Sequence, residues 1–137
     1  MTANGLITLP SAHGVKDTVD RLAAEVTAKG LTIFARIDHA AGAKDVGLPL
    51  RPTDLLIFGN AAGGTPLMQV LQTAGIDLPL KALAWEDADG KCWLSYNDPA
   101  WIAQRHDTGN GDAALVSAVT ARLAAAMSAL AKAAIGA

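Results

Sequence analysis

The segment FARIDHAAGAKDVGLPLRPTDLLIFGNAAGGTPLM, residues 34–68, gathers an Arg, an Asp-His pair, a second Arg and a Gly-rich stretch around two apolar runs. A carboxylate can orient an imidazole that titrates near neutrality, so Asp38 and His39 are the first candidates for acid–base chemistry. Neighbours on a strand point to opposite faces, however, and the two can cooperate only if the strand ends between them. A nucleophile is also wanting. Ser11, Ser95, Ser117 and Ser128 lie in no G-x-S-x-G elbow, and Cys92 falls inside an expected strand, where a thiol is ordinarily inert packing. The simpler use of His39 is to cap the helical turn that follows its strand or to bind a backbone carbonyl.

Metal and haem chemistry have equally little to work with. His13, His39 and His106 show no H-x-H or H-E-x-x-H spacing, and Asp38, His39 and Asp45 form only a loose group, so no metal site is expected. One His can still ligate haem iron, with Met68 or another side chain opposite, because haem needs one strong axial ligand and an apolar slot. The Gly-rich stretch offers a third use. A bend with outward amides at Asn60, Gly63, Gly64 and Thr65 can hold an anion, with Arg36 or Arg51 as countercharge, although it has neither the Lys of a P-loop nor a G-x-G-x-x-G pattern. Plain turn geometry with Thr65 as a helix cap requires the same glycines. Arg36 and Asp38, two apart on one strand face, can also join Arg51 in an ion network at a subunit interface.

The elements that must position these residues follow from periodicity. Leu6 to Leu9 form a short strand stopped by Pro10, and Val15, Val19, Leu22 and Val26 mark one helix face, with Gly14 as N-cap and Gly30 past the end. LTIFARID alternates strictly: Leu31, Ile33, Ala35 and Ile37 face the core while Phe34, Arg36 and Asp38 face away. TDLLIFGN reads as a strand covered on both sides, and a helix is expected from the Thr65 cap, with Pro66 in its first position and Gly75 beyond its end. Asp89-Gly90 predicts a tight type I′ hairpin that sets Trp85 opposite Leu94 on the core face and Trp93 on the weaker face. Asp98-Pro99 starts a short helix, and an Ala-rich helix runs from Asp112 to about Ala134.

Strands paired by tight connections predict an α+β fold, a mainly antiparallel sheet with helices on one face, in the order β-α-β-β-α-β-β-α. The sheet's second face would stay open in a monomer. Phe34 and Trp93 are the expected contacts there, with a second subunit or a ligand. The chain has 137 residues, 51% of them hydrophobic and 18% charged, with a net charge of −2 and one cysteine. That suits one domain of a reducing compartment and gives no basic field for nucleic acid. The apolar runs read as too short and periodic for a membrane span, and the N-terminus has no positive region of a secretory leader, so a cytoplasmic protein is expected.

The phrases TVDRL, FARIDHAAGA, LRPTDLLIFGN, GTPLM and YNDPAWIAQRH together resemble the bacterial and archaeal family called domain of unknown function 302. The likeness runs from about Gly5 to the last helix and implies a TATA-binding-protein-like α+β fold, usually a homodimer, with no established activity. The family's characteristic positions fall here on Phe34, Asp38, His39, Ala43, Arg51, Pro52, Phe58, Gly59, Asn60, Thr65, Pro66 and Met68. Many members carry Pro after the Asn; this chain has Ala61 and Ala62, which weakens an anion role for that segment. The expectation is thus a non-catalytic homodimer that binds a small molecule or anion. A haem protein or enzyme using His39 is the alternative, and a purely structural or interaction module is the third reading.

Overall fold

The computed structural model describes residues 4–109 and 112–136. The elements are β1 (Leu6–Pro10), α1 (Val15–Ala28), β2 (Thr32–Asp38), α2 (His39–Asp45), β3 (Thr53–Gly59), α3 (Ala61–Val70), a 3₁₀ turn (Gln72–Ile76), β4 (Leu80–Glu86), β5 (Cys92–Asn97), α4 (Pro99–His106) and α5 (Ala113–Ile135). Local signals set most of the helix ends. Gly14 is the extended N-cap of α1, and Gly30 adopts φ +73° just past it, donating its amide to the Thr27 carbonyl. The Asp98 and Asp112 carboxylates accept from the first-turn amides of α4 and α5.

All the pairings are antiparallel, in the order β1-β5-β4-β3-β2. After β1 the chain crosses the sheet as α1 to the opposite edge and returns as the meander β2-β3-β4-β5. The helices lie on one face. Val19, Leu22 and Val26 of α1 and Met127, Leu130 and Ala134 of α5 bury the sheet face made by Leu56, Phe58, Ala82, Ala84, Leu94 and Tyr96. A second cluster, Leu67, Leu71, Ala74, Ile102, Ala103 and Val119, joins α3, the 3₁₀ turn and α4 to α5. The expected α+β class and one-sided helix layer are found.

Two one-residue events change which side chains face that layer. Between Ile33 and Ala35 the pairing with β3 shifts, leaving Phe34 as an extra, bulged residue. Beyond the bulge the alternation is inverted: Arg36 lies opposite Leu56 on the helix side, and Ile37 lies opposite Leu55 on the open side. The expected core role of Ala35 and Ile37 is therefore corrected. In the second event, Asp87 and Lys91 close a loop of Ala88, Asp89 and Gly90, and Gly90 (φ +79°) is the one loop residue with positive φ. A type I′ turn needs two such residues, so the expected two-residue hairpin does not form. The one-residue change moves the whole pairing: Trp85 sits opposite Trp93, not Leu94, and both are on the open face. β3 is covered by helices on one side only, with Leu55 and Ile57 half-buried on the other.

α5 contradicts one expectation about composition. Its mean hydropathy of 1.6 over 18 residues meets the length and composition of a membrane span, although its apolar stripe packs on α1 and the sheet here. Alanine supplies most of that apolarity without the bulk that marks a core run. α4 is fixed to the 3₁₀ turn by a polar clamp. Asp77 receives both Oδ contacts from Arg105 Nη1, at 2.8 and 2.9 Å, and the His106 ring bridges Asp77 Oδ2 and Thr73 Oγ1. Burial pushes the Asp77 carboxyl up, but the His106 hydrogen bond and the charges of Arg105 and His106 outweigh it and leave it below the ordinary carboxylate range. The clamp's contribution is accordingly present above about pH 4 and is lost as pH falls through the lowered folded value. Asp77→Asn is expected to cost about 2 kcal/mol at pH 7. In urea titrations this difference from the parent should shrink toward zero in strong acid; a constant difference down to pH 2 would contradict the assignment.

Candidate functional site

The residues singled out by sequence divide between two separate clefts. Arg36, Asp38 and Arg51 line an open basin of about 1190 Å³ between α1, α2 and the 46–52 loop. Phe34, Asn60, Gly63, Gly64 and Thr65 line a narrower cleft of about 440 Å³ between α3, α5 and the β2–β3 edge. His39 lines neither. The strand does end between Asp38 and His39, but Asp38 Oδ1 accepts from the Ala41 amide at 2.9 Å as the N-cap of α2, and His39 is an exposed first-turn residue. Met68 lies in the second cleft, so His39 and Met68 share no cavity in which haem could be held between them.

In the basin, Arg36 is already engaged. Because the bulge turns it toward the helices, its Nη1 reaches Asp20 Oδ1 of α1 at 2.6 Å, and its Nη2 reaches Asp54 Oδ2 and the Lys16 carbonyl, each at 3.4 Å. The Arg36 guanidinium holds the Asp20 carboxyl below the usual range, and Asp20 in turn raises Arg36. The expected Arg36–Asp38–Arg51 network is not formed: Asp38 caps a helix, and Arg36 pairs with carboxylates of α1 and β3 that the strand pattern did not suggest. The basin is a wide, mixed-charge surface with exposed Leu48 and Leu50 on its loop.

The second cleft is built by a helix that begins earlier than expected. Asn60, not Thr65, is the N-cap of α3: it is extended (φ −152°, ψ 157°), and its Oδ1 accepts the Gly63 amide at 2.6 Å. Gly63, Gly64, Thr65 and Pro66 are consequently inside the helix, and the expected Gly-rich turn is its first turns. Pro66 has no amide to donate, so the Ala62 carbonyl loses its helical partner. Of the two glycines there, only Gly63 has surroundings that leave no room for a side chain. A Cβ on Gly63 would stand 2.8 Å from Asn60 Oδ1 and 3.9 Å from Leu123 Cδ2, whereas one on Gly64 would meet Leu78 and Met68 at 3.6 and 3.8 Å. The Asn60 cap folded against it explains Gly63.

The cleft wall is mostly apolar: Leu31, Phe34, Met68, Leu78, Leu123 and Leu130, with Asn60, Thr65 and Arg122 as polar side chains. Phe34 is 55% exposed, a large ring left uncovered beside a cavity. Arg122 was missed by sequence reasoning, because on an Ala-rich helix one Arg carries no sign of which neighbour it approaches. His106, Thr73 and Asp77 were missed too, being distant in sequence. Their hydroxyl–imidazole–carboxylate order is that of a relay, but Thr73 lines neither cleft and Arg105 occupies the carboxylate, so the group reads as a structural clamp. Burial pushes the Cys92 thiol up, away from nucleophilic use. Among the described residues no three His, Cys, Asp or Glu side chains are grouped to hold a metal.

A single antiparallel sheet with a one-sided helix layer and two clefts defines an α+β domain with room for a ligand. The chain belongs to the family described as Domain of unknown function DUF302, which matches residues 7–130. A crystal structure of an uncharacterized conserved DUF302 protein from Bacillus stearothermophilus has the same fold, with a TM-score of 0.82 over 96% of this chain and 99% of that one at 17% identity. Higher identity is found with proteins named Fluoride-specific ion channel FluC 1 from Brucella suis and Brucella abortus, each 53% identical over 118 residues, or 85% of this chain. The match spans 46% and 44% of those two proteins, so this chain corresponds to less than half of each.

The two central glycines provide a direct check on the cleft. Gly→Ala adds helix propensity at either position, but only at position 63 does it strike the Asn60 cap. Gly64→Ala should therefore be more stable than Gly63→Ala by about 1 kcal/mol in urea unfolding. Equal stabilities, or the reverse order, would place the helix start elsewhere.

Proposed function

We propose that this protein is a non-catalytic homodimeric binding domain whose small-molecule or anionic ligand occupies the cleft between α3, α5 and the β2–β3 edge. The observation that carries this reading is the cleft's make-up: apolar walls from Phe34, Met68, Leu78 and Leu123, with the Arg122 cation among them. Its volume of about 440 Å³ suits a compact organic molecule. The basin is the poorer candidate, since it is wider and its Arg36 is neutralised by Asp20 and Asp54.

The open sheet face supports the homodimer. Ile37, Leu55, Ile57, Leu83, Trp85 and Trp93 lie on the side without helices, and the two indoles stack at 6.2 Å between centroids. Their ring nitrogens are satisfied within the chain, Trp85 by Ser95 and Trp93 by Asp87, so this face can be covered without stranding a donor. A twofold partner would set the same patch against itself. Thermal-shift measurements against a panel of metabolites and anions should give stabilisation that Ala126→Phe, a bulky substitution at a lining position of α5, removes. Sedimentation at micromolar concentration should give a dimer that Leu83→Lys converts to monomer. A flat panel would overturn the binding role, and a monomeric parent would overturn the dimer.

A second reading is favoured by the Brucella relatives, in which a region like this chain makes up less than half of a protein named as a fluoride-specific channel. On this reading the domain works beside such a channel and modulates it, while the unmatched half conducts. Fluoride efflux from vesicles containing the Brucella suis protein should then change when the region matching this chain is deleted. Unchanged flux and gating would contradict this reading.

A further inference from the structure

The make-up of the cleft narrows the class of ligand, an inference that rests on the proposed binding role of that cleft. One wall is α5, which presents Val119, Arg122, Leu123, Ala126 and Leu130. From Arg122, where the charge lies, to Leu130 a helix rises about 12 Å. An extended alkyl chain of roughly ten carbons has that length in its staggered form. The facing wall is aliphatic or thioether, Leu78 and Met68, surfaces that adapt to a chain without demanding a plane. A flat aromatic ligand would have only Phe34 to stack on, and that ring is more than half exposed.

Charge fixes one end. The cleft is lined by no Asp or Glu in a chain whose net charge is −2, and Arg122 has no ion-pair partner among the described residues. Ala61 and Ala62, whose amides belong to the unpaired first turn of α3, border the same space. The formal charge on this wall favours an anion over a cation, and a guanidinium matches a carboxylate in planar, two-point contact. We infer that the cleft takes a linear saturated monocarboxylate of about eight to twelve carbons, its chain lying along α5 and its carboxylate on Arg122.

Calorimetric titration of the full chain with octanoate, decanoate and dodecanoate, below their micellar concentrations, tests the inference. Affinity should rise about fourfold for each methylene added until the cleft is filled, and then level off. Arg122→Gln should weaken decanoate about tenfold or more while leaving 1-decanol unchanged. Ala126→Phe should abolish both, with thermal melts verifying that each variant is folded. Binding that ignores chain length, or decyltrimethylammonium bound as tightly as decanoate, would overturn the inference. If no alkyl probe binds but panel compounds still stabilise the protein in a manner that Ala126→Phe removes, the ligand class falls and the cleft's binding role stands. If the panel is flat as well, both fall together.

Discussion

The extra residue in β2 is the constraint on which the arrangement of both clefts depends. A strand sends alternate side chains to opposite faces, and a bulge inverts that alternation for everything beyond it. With Phe34 bulged, Arg36 turns under α1 to meet Asp20 and Asp54, and Asp38 ends the strand pointing into the α2 cap. Without it, Arg36 would face the open side and two carboxylates, one of them buried, would lack their cation. The same event leaves Phe34 beside the α3–α5 cleft. One backbone irregularity thus separates a polar basin, whose Arg36 is paired with Asp20 and Asp54, from an apolar cleft lined by Arg122.

What was legible in the sequence was local. Gly14, Gly30, Asp98-Pro99 and Asp112 announce helix ends through chemistry confined to a few residues, and each stands where that chemistry requires. The α+β class and the helix stripe of Val19, Leu22 and Val26 followed from simple periods. The one-residue events were not legible, because nothing within LTIFARID or WEDADGKCW says how many residues its partner strand will oppose. Asp89-Gly90 satisfies a type I′ turn as readily as the three-residue loop that forms, and tertiary register decides between them.

The α3 start illustrates the same limit for a site. Asn60 and Thr65 are both competent caps, and Pro66 suits a helix beginning at Thr65 better than one beginning at Asn60. The earlier start folds the Asn60 side chain over Gly63 and runs the helix through Pro66, leaving the Ala62 carbonyl without its helical partner. The motif that looked like an anion-binding turn became the wall of an apolar cleft, which Arg122 of a distant helix also lines. His39, prominent in the sequence, lines neither cleft.

The central claim is that the ligand lies in the α3–α5 cleft and not in the basin. Amide chemical-shift mapping of the full chain during titration with decanoate tests this most directly. The account predicts shifts concentrated at Leu31, Phe34, Gly63, Gly64 and Arg122 through Ala126, with Lys44, Leu48 and Arg51 of the basin unmoved. Shifts concentrated at those basin residues, with the α5 amides silent, would contradict it.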